Sequence, residues 1–190
     1  AAQRNMDRGA SSVRLFEIGR RYLAGTDGAS DERVTAGIVL AGERSARNWA
    51  AGKATRFDAF DAKAEAIALL KAAGVATDSL LVMDDAGAHY HPGQSGTLRM
   101  GPKNILAAFG TLHPATAKAF DLAGNIVAAE ICLGAIPLKK ASGFMRPAFT
   151  PPVLQAVTRD FAFLVSHETP VHDLVRAIQG CDKEHIVSVR

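Results

Sequence analysis

Cysteine is scarce in this chain, with two among 190 residues, and neither Cys132 nor Cys181 belongs to a C-x-x-C pair. A disulfide framework and a paired-thiol metal site are therefore excluded as organising features. Cys132, inside an apolar run, reads as a small buried hydrophobe, and Cys181 follows a predicted helix end. A reducing compartment fits this usage, with a single disulfide left as the alternative. No stretch approaches the ~20 apolar residues that a membrane helix needs. The polar start, Ala1 to Arg8, lacks the apolar core of a signal peptide. The expectation is a soluble, cytoplasmic chain without membrane partners. It has no initiating Met and stops at Val189-Arg190 within a predicted strand, so both ends are expected to be cut from something longer.

Strong charge of either sign is also missing. Lys and Arg number 22 against 19 Asp and Glu, a formal net charge of +3. That balance permits nucleic-acid binding without indicating it. Nucleotide-binding signatures are missing too. There is no G-x-G-x-x-G, and Gly52-Lys53-Ala54-Thr55 lacks both the upstream glycine spacing and the Ser/Thr after lysine of a phosphate loop. Gly93-Gln94-Ser95-Gly96 is one residue short of a nucleophile elbow and has no strand-turn-helix context. A tight turn entering a strand explains its glycines better.

What is present is a 48% hydrophobic composition, enough for one good core and a small second unit. Strands are predicted at residues 13–18, 34–40, 80–83, 97–100, 105–109 and 125–133. Residues 25–31 read as an exposed loop, and the segment up to Arg56 as irregular, with the only tryptophan, Trp49. The clearest helix spans residues 59–73, with Asp58 as N-cap, Lys71 near its C-terminal end and Gly74 as its stop. Phe60, Ala64, Ile67 and Leu70 recur at helical spacing as its expected buried face. A short helix is predicted after Pro114.

Between Pro137 and Pro152 the prolines, Gly143 and the pair Lys139-Lys140 break regular structure and predict a linker. Beyond it, residues 157–165 read as a strand and 171–179 as an amphipathic helix, with Thr169 as N-cap and Gly180 at its end. His185 opens another strand. This tail reads as β-α-β, half of a ferredoxin-like arrangement whose intervening third strand is not in the chain.

His89, His91 and His113 form the one candidate metal-ligand set, His89 and His91 lying two apart on a strand. His91 and His113 each precede proline, and no third ligand stands at zinc-like spacing, so turn and core histidines are the expected reading. A metal-assisted hydrolase built on these three residues is the alternative.

Several segments, in order, carry a family resemblance. They are Arg14-Leu15-Phe16-Glu17-Ile18-Gly19, Phe57 to Glu65, His91-Pro92-Gly93-Gln94-Ser95-Gly96, the hairpin turn from Gly101 to Asn104, Phe109-Gly110-Thr111-Leu112-His113-Pro114, and Val157-Thr158-Arg159-Asp160-Phe161-Ala162-Phe163. In this order and spacing the chain resembles the C-terminal part of the β chain of bacterial phenylalanyl-tRNA synthetase. One departure is Ala64, where the family's Asp-x-Lys-Gly has glycine. The resemblance implies an α+β fold: a class II synthetase-like antiparallel sheet flanked by helices over residues 1–146, then the first half of a ferredoxin-fold anticodon-binding domain over 147–190.

It also implies a catalytic-like domain without catalysis. Class II sites hold ATP phosphates with one arginine on a strand and a second near a glycine-rich junction, where guanidinium groups match the developing charge. Arg14 lies in the counterpart of the first strand, and residues 110–120 contain no arginine for the second. No catalytic, cofactor or metal residue is therefore expected here. ATP and Mg2+ would serve the parent enzyme, which joins phenylalanine to its tRNA. The implied partners are the catalytic α chain, in an α2β2 heterotetramer, and tRNA(Phe). Arg159, Lys183 and Arg190 are the candidate tRNA contacts.

Overall fold

The computed structural model describes residues 1–25, 28, 30–138 and 148–189. The chain divides into two compact units, Ala1–Lys140 and Ala141–Arg190.

The first unit is built on a seven-stranded sheet in which every neighbouring pair is antiparallel. The strands are β1 (Ser12–Ala24), β2 (Ser30–Ser45), β3 (Thr55–Arg56), β4 (Leu81–Met83), β5 (Tyr90–Met100), β6 (Asn104–Leu112) and β7 (Ile126–Cys132). Their order is β1-β2-β7-β6-β5-β4, with β3 paired to β2. The last strand in sequence thus enters the middle of the sheet. Successive side chains on a strand point to opposite faces, so the register sorts every residue to one of two surfaces. Leu40 pairs with Val127, Ile38 with Ala129 and Ala36 with Ile131. These six line one face.

Helix α2 (Ala59–Ala72) covers that face. Its start is fixed by a reciprocal capping box: the Asp58 carboxylate accepts from the Phe60 and Asp61 amides at 2.8 and 3.2 Å, and Asp61 accepts from the Asp58 amide at 2.9 Å. Such a cap contributes about 1 kcal/mol. The helix stops in a Schellman turn, with Gly74 N–H donating to the Lys71 carbonyl and Val75 N–H to that of Leu70. Ala62, Ala66 and Leu70 are the residues it buries, and the two alanines let the helix lie close to the sheet. Full burial of Leu70 contributes roughly 2 kcal/mol. The expected face was rotated: Phe60 is 76% exposed and Ala64 is exposed. A helix this rich in alanine has little apolar contrast around its circumference, so sequence spacing alone does not orient it.

The opposite face is covered at one end by α1 (Ala2–Asp7), a helix the polar N-terminal sequence does not announce. Ala2 packs there with Val13, Ala41 and Ile126. Helix α3 (Pro114–Ala119) begins at the expected proline, and the His113 ring caps it by accepting from the Ala115 amide at 3.1 Å. The strands predicted in this unit are all found, but β1, β2 and β5 run well beyond their apolar cores. Cross-strand pairing extends them through polar residues. The loop expected at 25–31 falls partly outside the described residues, and Ser30 and Asp31 already belong to β2.

In the second unit the described residues contain one regular element, α4 (Val171–Cys181). The predicted strands at 157–165 and from His185 are not formed. Val157, Phe161 and Leu164 are exposed. A strand exists only through hydrogen bonds to a neighbour, and among the described residues of this unit no strand supplies them. Pro170 rather than Thr169 precedes the first helical residue, and the helix passes through Gly180. Most of the proline-rich linker, including residues 139–147, lies outside the described residues.

At Gly110, in the middle of β6, φ is +150°, and an added Cβ would lie 2.4 Å from the Ser95 Cβ and 2.5 Å from the Gln94 carbonyl oxygen. Backbone strain and overpacking would act together there. We expect Gly110→Ala to destabilise the first unit by about 2–4 kcal/mol, measured as a shift in the urea midpoint. An unchanged midpoint would refute this close approach of β5 to β6.

Candidate functional site

The sheet face away from α2 is where polar side chains gather. One row crosses it from Glu17 on β1 through Gly37, Glu130, Ala108 and Thr97 to Met83 on β4. Glu130 stands at the centre, flanked by the small residues Gly37 and Ala108. Its carboxylate accepts a hydrogen bond from Arg21 at 2.8 Å and lies 3.4 Å from His89 Nε2. The His89 ring stacks at a tilt against Tyr90, with centroids 4.4 Å apart. Tyr90 is buried, and its hydroxyl has no hydrogen-bond partner among the described residues. Burial pushes its phenol pKa far up; the Glu130 carboxylate adds to this and Arg21 opposes it.

A second polar group lies on the same face toward the sheet edge. Thr97 donates to Asp85 at 2.7 Å, and the buried Arg99 pairs with the same carboxylate while also bonding Thr97 and the Pro102 carbonyl. The Thr97 hydrogen bond, chiefly, holds the Asp85 carboxyl below its ordinary range; burial opposes it, and the hydrogen bond and charge of Arg99 add to the lowering. Neither group carried a recognisable motif. Asp85 and Arg99 are 14 residues apart, Arg21 and Glu130 109 apart, and only alternate-face parity within each strand hinted at the pairing.

The sequence-predicted site residues are dispersed. Arg14 pairs in register with Leu40 and so faces α2, where its guanidinium lies 4.7 Å over the Phe57 ring and 3.9 Å from Glu65. Glu17 and Leu15 take the other face. The arginines on the open face, Arg21, Arg33 and Arg99, each meet a carboxylate, from Glu130, Asp31 and Asp85. A phosphate binder needs guanidinium donors free to fork around oxygens. The donor set here does not fit ATP of the class II kind.

The histidine set does not converge either. His89 sits in a turn ahead of β5, beside Glu130. His91 Nδ1 accepts from the Gly93 amide at 3.1 Å, and His113 Nδ1 caps α3. Two of the three rings thus use one nitrogen lone pair on local backbone. Among the described residues, no group of three or more His, Cys, Asp or Glu is placed to hold a metal ion, and nothing supports the metal-assisted hydrolase. Cys132 and Cys181 are both free thiols.

In the second unit Arg159 and Lys183 are exposed, and neither makes an ion pair within 4.0 Å among the described residues. Lys183 lies in a turn organised by Asp182, whose carboxylate accepts from the Glu184 and His185 amides at 3.0 Å. Arg190 lies outside the described residues. No helix among the described residues is long and apolar enough to cross a membrane.

Residues 1–133 match the family model described as the phenylalanyl tRNA synthetase beta chain CLM domain. The whole chain aligns with proteins named phenylalanine–tRNA ligase beta subunit. It is 62% identical to that of Novosphingobium aromaticivorans, 50% to that of Zymomonas mobilis and 41% to that of Mesorhizobium japonicum. The chain spans about a quarter of the length of these relatives, 24, 23 and 24% respectively.

Replacing Asp85 by Asn would leave Arg99, 8% exposed, with a weaker, neutral acceptor. We expect a loss of about 1–3 kcal/mol. Because the Asp85 pKa is lowered on folding, its contribution is complete above the ordinary carboxylate range and disappears as pH falls through the folded value. Urea titrations at neutral and acid pH check both points. The wild-type advantage over Asp85→Asn should shrink in acid, and an advantage that grows instead would contradict the pairing.

Proposed function

The chain belongs to the phenylalanyl-tRNA synthetase beta chain family, and from that premise we propose that it is a non-catalytic segment of a phenylalanine–tRNA ligase β chain. The carrying observation is the end-to-end alignment with proteins of that name at up to 62% identity among those compared. On this reading the segment lies toward the C-terminal end of the β chain. Its first part is a class II synthetase-like sheet that scaffolds a catalytic α chain in an α2β2 heterotetramer in the cytoplasm. The second part, with its boundary near residues 146 and 147, begins a ferredoxin-fold domain on the anticodon side of tRNA(Phe).

The open face supports the non-catalytic part of this reading. Ion-paired arginines cannot regroup around a triphosphate without leaving Glu130 and Asp85 uncompensated. Adenylate formation and aminoacyl transfer, with ATP and Mg2+, would then belong to the α chain. Exposure of Val157, Phe161 and Phe163 supports an incomplete second domain, because these alternate residues supply one apolar side of a strand that pairs with no other among the described residues. Arg159, Lys183 and Arg190 are proposed to contact tRNA phosphates, which position the nucleic acid without reading its sequence.

Two measurements test the proposal. The purified 190-residue chain should show no phenylalanine-dependent exchange of pyrophosphate into ATP, and measurable exchange would overturn it. In the assembled enzyme, Arg159→Ala with Lys183→Ala should weaken tRNA binding and lower its salt dependence by about one logarithmic unit per lost contact. Phenylalanine activation should be unchanged. Loss of activation with tRNA affinity intact would remove these residues from the RNA surface.

A further inference from the structure

The loop between β2 and β3 presents the chain's only tryptophan on a hydrogen-bonded platform. Trp49 is 98% exposed. A solvated indole of this size usually serves contact with a partner, since exposing it forgoes the burial that aromatic residues supply elsewhere. Its position is held firmly. Asn48 and Gly52 exchange backbone hydrogen bonds at 2.9 and 3.2 Å, and the Asn48 side chain accepts from the Ala50 and Ala51 amides at 3.1 and 2.7 Å. The Asn48 amide group also donates to the Ala46 carbonyl. Each side-chain bond satisfies backbone that the ladder does not reach.

The surroundings are cationic. Residues 46–57 contain Arg47, Lys53 and Arg56 and no carboxylate. Arg44 is engaged by Asp61 at 3.4 Å, and Arg56 stands opposite Glu43 in the β2–β3 ladder. Arg47 and Lys53 are exposed and make no ion pair within 4.0 Å among the described residues. These two, with Asn48, Trp49 and Gly52, line an open hollow of about 560 Å³. An apolar protein partner would leave both charges unanswered, and an acidic peptide would leave the indole face unused.

We propose that this loop binds single-stranded RNA, with a base stacked on Trp49 and the flanking phosphates on Arg47 and Lys53. Stacking on an aromatic face is tolerant of sequence, and two cations beside it follow the backbone. The site lies in the first unit and requires neither Arg159 nor Lys183. It therefore stands or falls independently of the anticodon-side contacts proposed above.

Because Trp49 is the only tryptophan, its emission reports the site directly. Titrating the 190-residue chain with an unstructured RNA of roughly ten nucleotides, a length within the range of known single-strand sites, should quench that emission. Trp49→Ala should weaken binding about fivefold or more, measured by anisotropy of labelled RNA. The affinity should fall with salt at a slope near −1.4, and Arg47→Ala or Lys53→Ala should each reduce the slope by about 0.7. Since all three side chains are exposed, the variants should keep the wild-type urea midpoint. Binding that leaves the emission unchanged, or that survives Trp49→Ala at full strength, would overturn the proposal. So would a duplex of the same length binding more tightly than the single strand. A concentration-dependent blue shift without RNA, accompanied by a rise in sedimenting mass that Trp49→Ala abolishes, would overturn it in favour of contact with a second copy of the chain.

Discussion

The two-residue period of β7, locked between β2 and β6, is the constraint on which the first unit rests. Hydrogen bonding on both edges leaves the strand no freedom to slip, because a shift by one residue would exchange its faces. In the observed register Val127, Ala129 and Ile131 meet α2, while Glu130 is the one charged residue that β7 sends to the other side, beside Ile126, Ala128 and Cys132. The buried face decides where the helix lies. The opposite face then receives the carboxylate around which Arg21, His89 and Tyr90 collect.

That carboxylate, together with Asp85, gives the open face its chemical character. A broad antiparallel sheet with helices on one side can present cations to a ligand on the other. Here each arginine so placed meets an acid, and the most buried of them, Arg99, has three different hydrogen-bonding partners. Pairing of this kind stabilises the sheet and withdraws the same guanidinium groups from ligand binding. The exposed loop at Trp49 shows the reverse arrangement, with Arg47 and Lys53 making no ion pair among the described residues beside an exposed indole. Charge on this unit is thus neutralised across the sheet face and left exposed at the loop.

The two units differ in how completely their sequences were read. In the first, the strand positions, the Asp58 cap, the Gly74 stop, the Gly101 to Asn104 turn and the proline start of α3 were all legible, because each depends on residues within one turn or one strand. The full lengths of β1 and β2 were not, since polar residues joined them through pairing with a partner strand. Phe60 was misplaced because alanine on several sides of α2 left the buried face undetermined. Helix α1 escaped notice because Ala2 is buried only through contact with Val13, Ala41 and Ile126. In the second unit, apolar alternation at 157–165 was present, but alternation makes a strand only where another strand accepts its hydrogen bonds.

By itself, the sequence determined the local elements of the first unit and the kinship that the ordered motifs carry; it read the histidines as turn and core residues, whereas none of the three is in the core and His113 caps α3. The tertiary structure alone decided that Arg14 faces α2, that Arg21 reaches Glu130, and that Asp85 and Arg99 close the edge of the open face. The reason is the range of the forces involved. Caps, turns and periodicities arise between residues a few positions apart, whereas Arg21 and Glu130 are 109 positions apart and meet only because β2 lies between their strands in a fixed register.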